Sequence, residues 1–388
     1  MVKRLLVFFL TLVLCLPVLS SVAENHILVR AGGSFGLALA ADGSIWGWGD
    51  NASGQLGLKG KKKNLRPIPA ASGIDGTHVV DIQCGNVSSL FLMDDGTVWT
   101  CGRNNYGQQG QDVAKGYVFE PIPIPGLSRI TAVACGFGQC LALDEDGHVW
   151  AWGRNSNGQI GNGTRKSVTV PVMLEMENIV SIHCGGKYCL AMDAQGGLWG
   201  WGDNEYGQLL DASKWKNILV PTLLSASGRF VMVAAGGDTA YGLDHEGVLW
   251  AWGRNDYWQL GTRSVGKKTQ EPVQVEFPES IRITRILAYN SHAGVITETG
   301  ALWQWGSVYH GQLGNGKRPS RAIPTEASPV AQVLDADVGS IVSLCLLEDG
   351  RILGAGCNEY GQTGGLDHVT YYEPNWQDTG LNLLNPGP

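Results

Sequence analysis

Hydrophobic positions in this chain come in short runs of strand length, broken by glycine turns. In one unit, Leu141-Ala142-Leu143 and Val149 to Trp152 flank Asp146-Gly147. Asp-Gly accepts the positive φ angles of a tight hairpin, so the two runs predict paired strands. The same turn stands at Asp42-Gly43, Asp95-Gly96 and Asp349-Gly350. Side chains alternate between the two faces of a strand. Trp150 and Trp152 therefore leave one face and Ala151 the other. Trp46, Trp48, Trp99, Trp199, Trp201, Trp250, Trp252, Trp303 and Trp305 repeat the bulky positions, so 11 of the 14 tryptophans share this pattern. Between them stand mostly small residues: Gly47, Thr100, Gly200, Ala251, Gln304 and Gly354.

The glycine closing each unit recurs at Gly49, Gly102, Gly153, Gly202, Gly253, Gly306 and Gly356, at steps of 49 to 53 residues. Six residues later comes a glutamine every time: Gln55, Gln108, Gln159, Gln208, Gln259, Gln312 and Gln362. A sheet with bulk on one face and little on the other nests against its neighbour. Four strands per unit, repeated radially, give a propeller, and closure protects the strand edges. The expected fold is all-β: one seven-bladed β-propeller of four-stranded blades over residues 24–388, with indoles layered between blades. His26 to Gly33 reads as the end of a repeat whose start is missing, and Glu373-Pro374-Asn375-Trp376 as that start. The N- and C-terminal strands are therefore expected to share one blade.

Composition changes the picture at the N-terminus. Lys3 and Arg4 precede an apolar run from Leu5 to Leu16, Pro17, and small residues at Ser21-Val22-Ala23. This reads as a secretory signal cleaved after Ala23. Cleavage takes 2 of the 28 basic residues, leaving 26 against 35 acidic ones, a net charge of −9. An acidic surface does not replace phosphate counterions, so no nucleic acid is expected. The basic cluster Lys59, Lys61, Lys62, Lys63 and Arg66 reads as a solvated loop. No later segment could span a membrane. The mature chain is expected to be secreted or extracytoplasmic and monomeric. Export leaves eight cysteines in a disulfide-permissive place. Cys135 with Cys140, and Cys184 with Cys189, occupy matching positions in neighbouring repeats. They read either as two hairpin disulfides or as small buried apolar residues.

Cys135-Gly136, Leu141-Ala142-Leu143, Asp146-Gly147, Val149-Trp150-Ala151-Trp152-Gly153 and Gly158-Gln159-Ile160-Gly161 together resemble the unit of the regulator of chromosome condensation repeat family. The resemblance covers residues 26–382 and implies a seven-bladed propeller. One branch of that family is a nuclear guanine-nucleotide exchange factor, a role that export argues against. Another senses ultraviolet light through tryptophans, whereas the tryptophans here fall at blade-packing positions. A secreted bacterial branch inhibits β-lactamases by clamping a protein against its loop face. The departures from the pattern are local. Repeat four ends Gln208-Leu209-Leu210 without its last glycine, repeat five has Trp258 for the glycine before Gln259, and repeat six has Val308 for the usual asparagine. Repeat seven, Ile352-Leu353-Gly354-Ala355-Gly356, lacks both tryptophans, so its blade is expected to pack most loosely.

Strand reversal puts the turns after Cys-Gly and the Asn-x-x-Gly-Gln turns on one face, and the Asp-Gly turns on the other. The first face would present Tyr106, Tyr206, Tyr257, Trp258, Tyr309 and Tyr360, with Phe35, Phe137 and Tyr188 from the companion turns. Aromatic rings are what a protein-binding surface tends to use. Trp258 stands out because it replaces a turn glycine. The expected function is an exported scaffold that binds a protein partner through this face, with inhibition of a secreted enzyme as one form of that role. A glycan-binding propeller is the alternative, with a hydrolase or lyase behind it. Gly32-Gly33-Ser34-Phe35-Gly36 matches the hydrolase Gly-x-Ser-x-Gly pattern but falls in a repeat hairpin rather than a strand-to-helix elbow. The histidines lack ligand spacing and the Asp-Gly turns lack a calcium ligand set, so neither catalysis, metal nor cofactor is expected.

Overall fold

The structure is a computed structural model that describes residues 27–112, 116–210, 216–225, 228–316, 321–327, 332–365 and 368–387. The expected signal segment lies outside the described residues. Seven antiparallel sheets of four strands each form the blades of a propeller. Blade 1 runs Leu28–Ala31, Phe35–Leu39, Ile45–Asp50 and Lys63–Pro69 from the axis outward. Blades 2 to 6 span residues 79–123, 130–173, 179–225, 230–274 and 283–326. Blade 7 runs Val333–Val338, Val342–Leu347, Arg351–Gly356 and Glu373–Asn382.

The shared terminal blade expected from the sequence does not form. Every blade is one contiguous stretch of chain. The strand before each Cys-Gly turn is the innermost strand of its own blade. Leu28–Ala31 therefore opens blade 1, and Glu373–Asn382 is the outer strand of blade 7. Side chains close the seam between them. Asp335 Oδ2 accepts from Val29 N at 3.3 Å and from Arg30 Nη1 at 2.9 Å. Asp337 Oδ2 accepts from Ala31 N at 2.9 Å. Arg30 also reaches Asp81 of blade 2 at 3.0 Å, and Arg285 of blade 6 pairs with Asp335. Four blades thus meet in one ionic cluster beside the axis.

The Trp-x-Trp pattern resolves into two tiers. The second indoles, Trp48, Trp152, Trp201, Trp252 and Trp305, are fully buried. Each donates Nε1–H to the main-chain carbonyl of the recurring glutamine in the preceding blade: Trp152 to Gln108 (3.0 Å), Trp201 to Gln159 (3.0 Å), Trp252 to Gln208 (2.9 Å), Trp305 to Gln259 (2.8 Å) and Trp48 to Gln362 (3.0 Å). The glutamine is itself fixed, because its Oε1 accepts the amide two residues earlier, as Gln259 does from Tyr257 N at 2.8 Å. This explains the glutamine six residues after each glycine: its turn is the dock for the next blade's indole. In blade 2 Cys101 replaces the second tryptophan, and Ser89 Oγ donates to the Gln55 carbonyl at 2.7 Å instead. The first indoles sit nearer the rim. Trp46, Trp99, Trp150, Trp199 and Trp250 are half-buried, and only Trp303 of that tier is buried. Trp150, Trp199 and Trp250 bond Asp144, Asp193 and Asp244 of their own hairpins.

Blade 7 is not loosely packed. Leu344, Leu346, Ile352 and Ala355 are fully buried. Its missing indole comes from the outer strand. A side chain at Gly314 would meet the Trp376 ring, as one at Gly161, Gly261 or Gly364 would meet Trp201, Trp305 or Trp48. Trp376 Nε1 donates to Ala327 O of blade 6 at 2.7 Å. In blade 4 the corresponding seat is Leu210, which holds φ +54° where the sister glycines hold +63° to +80°.

Two imidazoles, His292 buried and His183 half-buried, set a pH response. Burial pushes His292 down to about 3, with Nε2 3.1 Å from Ser343 Oγ, and pushes His183 down to about 4. In the unfolded chain both titrate near the ordinary value of about 6.5. The unfolded state therefore binds more protons below that pH. Stability is full above about pH 6.5 and falls as pH drops towards the folded values. Urea midpoints at pH 7 and pH 4.5 should differ, and the difference should shrink in His292→Asn. An equal difference in the variant would remove His292 as a source.

Candidate binding face

The turns after each innermost strand ring the mouth of the central channel and are tied blade to blade through the main chain. Gly33 N bonds Gly85 O, Asn86 N bonds Gly136 O, Gly237 N bonds Tyr289 O and Ser340 N bonds Gly32 O, at 3.0 to 3.4 Å. The Asn-x-x-Gly-Gln turns stand outside this rim on the same face. Six of the seven are held by their asparagine, as where Asn255 Oδ1 accepts Leu260 N at 3.0 Å, and Val308 takes its place in blade 6.

Two of the predicted face residues are not on it. Phe35 and Tyr188 are fully buried. Each is the first residue of the second strand, and alternation turns its ring inward beneath a glycine, Gly32 or Gly185, where no Cβ could fit. The Tyr188 hydroxyl donates to Thr239 O at 2.6 Å. Phe137 is half-buried and packs on Tyr289 from blade 6, ring centroids 5.5 Å apart, over the channel mouth. Tyr289 was missed by the sequence reading. It stands where other repeats have the glycine of Cys-Gly, the same kind of departure that marks Trp258.

The remaining aromatics do lie in the outer turns. Three of the six are engaged by a cation from the next blade. Arg154 sits 5.1 Å over Tyr106, Arg254 sits 4.8 Å over Tyr206, and Lys63 Nζ sits 4.8 Å over Tyr360. Such pairs are worth roughly 0.5–1 kcal/mol at exposed sites. Tyr309 differs. It contacts Tyr257 edge-on at 5.6 Å and is 65% exposed. Trp258 is 40% exposed and holds φ +65°. The six sister positions are glycines at +82° to +89°. The left-handed conformation costs a residue with a side chain about 1–2 kcal/mol, so Trp258 is held against a local preference.

Between blades 5, 6 and 7 the face opens into a cavity of about 320 Å³, walled by Tyr257, Tyr309, Arg254, Asp238, Asn290 and His310. That is within the range of about 300–1,000 Å³ usual for ligand sites. Arg254 is clamped by Asp238 at 3.2 Å and Asp256 at 2.8 Å, so its charge is balanced. Burial lowers the His310 pKa, keeping the ring neutral, and its Nδ1 has no partner among the described residues. Ser34 of the Gly-x-Ser-x-Gly pattern lies in the hairpin between the first two strands of blade 1. The His292–Ser343 pair is buried away from solvent. On the opposite face Asp144, Asp146 and His148 gather at a hairpin, but Asp144 is already engaged by Trp150 Nε1 and the turn amides. Lys59, Lys61, Lys62 and Lys63 are exposed, and Lys59 pairs with Glu120.

The four cysteines considered for disulfides stand as thiols, as do all eight described cysteines. The Sγ atoms of Cys135 and Cys140 are 3.1 Å apart, and those of Cys184 and Cys189 are 3.7 Å apart.

Known proteins share this architecture. The chain is 29% identical over 347 residues to the ultraviolet-B receptor UVR8 of Arabidopsis thaliana, covering 87% of this chain and 66% of that receptor. It is 28% identical to the human E3 ubiquitin-protein ligase HERC2, covering 79% of this chain and 5% of the ligase. It is 26% identical to a mouse secretion-regulating guanine nucleotide exchange factor, covering 90% and 81%. The chain thus spans less than two thirds of the length of the first two. Among solved structures, human WBSCR16 superposes with a TM-score of 0.76 at 28% identity, covering 84% of this chain and 88% of that one. Yeast RCC1 (Prp20), solved bound to Kap60, superposes at 0.79 and 20% identity, covering 97% and 91%, which speaks to the fold alone. The model of the RCC1-like domain matches residues 13–343. With the seven contiguous blades and their indole-to-glutamine docking, that match makes this chain a member of the RCC1-like domain family.

Proposed function

We propose that this chain is an exported protein-binding propeller that seats its partner on the loop face of blades 5 to 7. The observation that carries the reading is Trp258, which keeps an exposed indole in a left-handed turn where the sister turns use glycine. Strain of this kind gathers at functional sites, and tryptophan is enriched among the residues that dominate binding energy. Tyr309 adds an exposed ring at the edge of the cavity. Yeast RCC1, which shares the fold, is solved bound to another protein, Kap60.

The experiment uses mature chain as bait in the producing organism's extracellular medium. The captured partner is then titrated against wild type, Trp258→Gly and Tyr309→Ala. Each substitution is expected to weaken binding by about 2 kcal/mol or more, the size of an interface hot spot. Trp258→Gly should leave the thermal midpoint at or above that of wild type, because glycine relieves the turn. Secreted chain should begin at Glu24. Unchanged affinity in both variants would clear this face of the role, and retention of residues 1–23 on cell-bound protein would end the export part.

A further inference from the structure

Two innermost hairpins carry thiols at facing positions. Cys135 is directly opposite Cys140, and Cys184 directly opposite Cys189, in adjacent antiparallel strands. Facing residues of such strands lie about 4.5–5.5 Å apart at Cα, inside the usual disulfide range of about 4.4–6.8 Å. The repeat does not require sulfur there. At the same register blade 2 sets Ser89 against Cys84, blade 5 sets Ala240 against Ala235, and blade 6 sets Ala293 against Ala288. A small side chain is enough, and only blades 3 and 4 place a thiol on both strands.

The two pairs differ in access. Cys184 is half-buried and lines a recess at the channel mouth with Phe137 and Tyr289, while Cys189 is fully buried behind it. Cys135 and Cys140 are both buried. We infer that Cys184 and Cys189 form a reversible dithiol–disulfide site in the folded protein, and that Cys135 and Cys140 join only while the chain folds. The oxidant is a small disulfide, R–S–S–R. The Cys184 thiol loses its proton and attacks one sulfur, giving Cys184–S–S–R and releasing RS⁻, which takes up a proton. Cys189 then loses its proton and attacks Cys184 Sγ, releasing the second RS⁻. Two protein thiols are oxidised to one disulfide and R–S–S–R is reduced to two RSH. The inference does not depend on what the loop face binds. Burial holds the Cys184 thiol well above the usual thiol range, so exchange is slow at neutral pH.

The test incubates folded protein with excess oxidised glutathione at mildly alkaline pH, alkylates free thiols and maps the peptides by mass spectrometry. A Cys184–Cys189 cross-link is expected, two hydrogens lighter than the dithiol, with Cys135 and Cys140 alkylated. Refolding from denaturant in the same buffer should yield both links. In Cys189→Ser the reaction should stop with glutathione on Cys184, which shows the entry thiol directly. Recovery of wild-type Cys184 as alkylated thiol, or still carrying glutathione beside an alkylated Cys189, overturns the site. A Cys135–Cys140 link forming in folded protein as fast as the Cys184 link overturns the access argument.

Discussion

Trp201→Ala is expected to destabilise the protein by about 3–5 kcal/mol, the cost of truncating a buried tryptophan. Trp201 is fully buried among Leu143, Ile160, Ile182 and Ala191, which belong to blades 3 and 4. Removing the indole opens a void between two sheets that cannot collapse onto each other without shifting the ring. It also takes away the donor that reaches Gln159 O. Urea unfolding should show a lower midpoint with an unchanged slope, the mark of lost stability at constant exposed surface. Trp199→Ala is the control. Trp199 lies two residues away on the same face but is half-buried and bonds Asp193 of its own hairpin. It should cost less than half as much. Equal losses for the two would refute the division of the indole layer into a buried tier and a rim tier.

Asp335→Ala should also cost about 3–5 kcal/mol, as breaking a buried ion pair from one side does. Asp335 and Arg30 have side chains only 11% and 13% exposed. The carboxylate holds Val29 N and Arg30 of blade 1 and faces Arg285 of blade 6. Without it two guanidinium groups share the axis with fewer acceptors. Burial already lowers Arg285 to about 10. The loss should appear at the seam between blades 1 and 7. Hydrogen exchange should speed up at Val29 and Ala31 more than at the inner strand of blade 4. A cost below about 1 kcal/mol, or uniform exchange, would mean that apolar packing alone closes the ring.

Much of this architecture was legible in the sequence, and what was not has a physical reason. The recurring glycine and glutamine carried the blade count, because every blade needs the same dock. A periodic pattern sets the period but not the phase. Which strand lies innermost is decided by packing around the axis, so the terminal segments were misread as halves of one blade. Trp376 was unreadable as a blade-7 packing residue because it sits on the outer strand, outside the Trp-x-Trp spacing. On the face, Trp258 was visible as a side chain where the turn wants glycine. Tyr289 carried the same signal and was missed. Phe35 and Tyr188 were counted as turn residues, but they begin strands, where alternation sends them inward. The cations over Tyr106, Tyr206 and Tyr360 come from neighbouring blades, a relation that no single repeat displays.

The contiguity of each blade has a consequence for how the molecule is made. Every sheet pairing joins strands adjacent along the chain, so no early strand waits for a distant one to complete its own sheet. Pairing between sequence neighbours favours fast completion of each sheet. A nascent chain can finish its sheets one after another as it is synthesised, leaving the docking of the last sheet onto the first as the one long-range event.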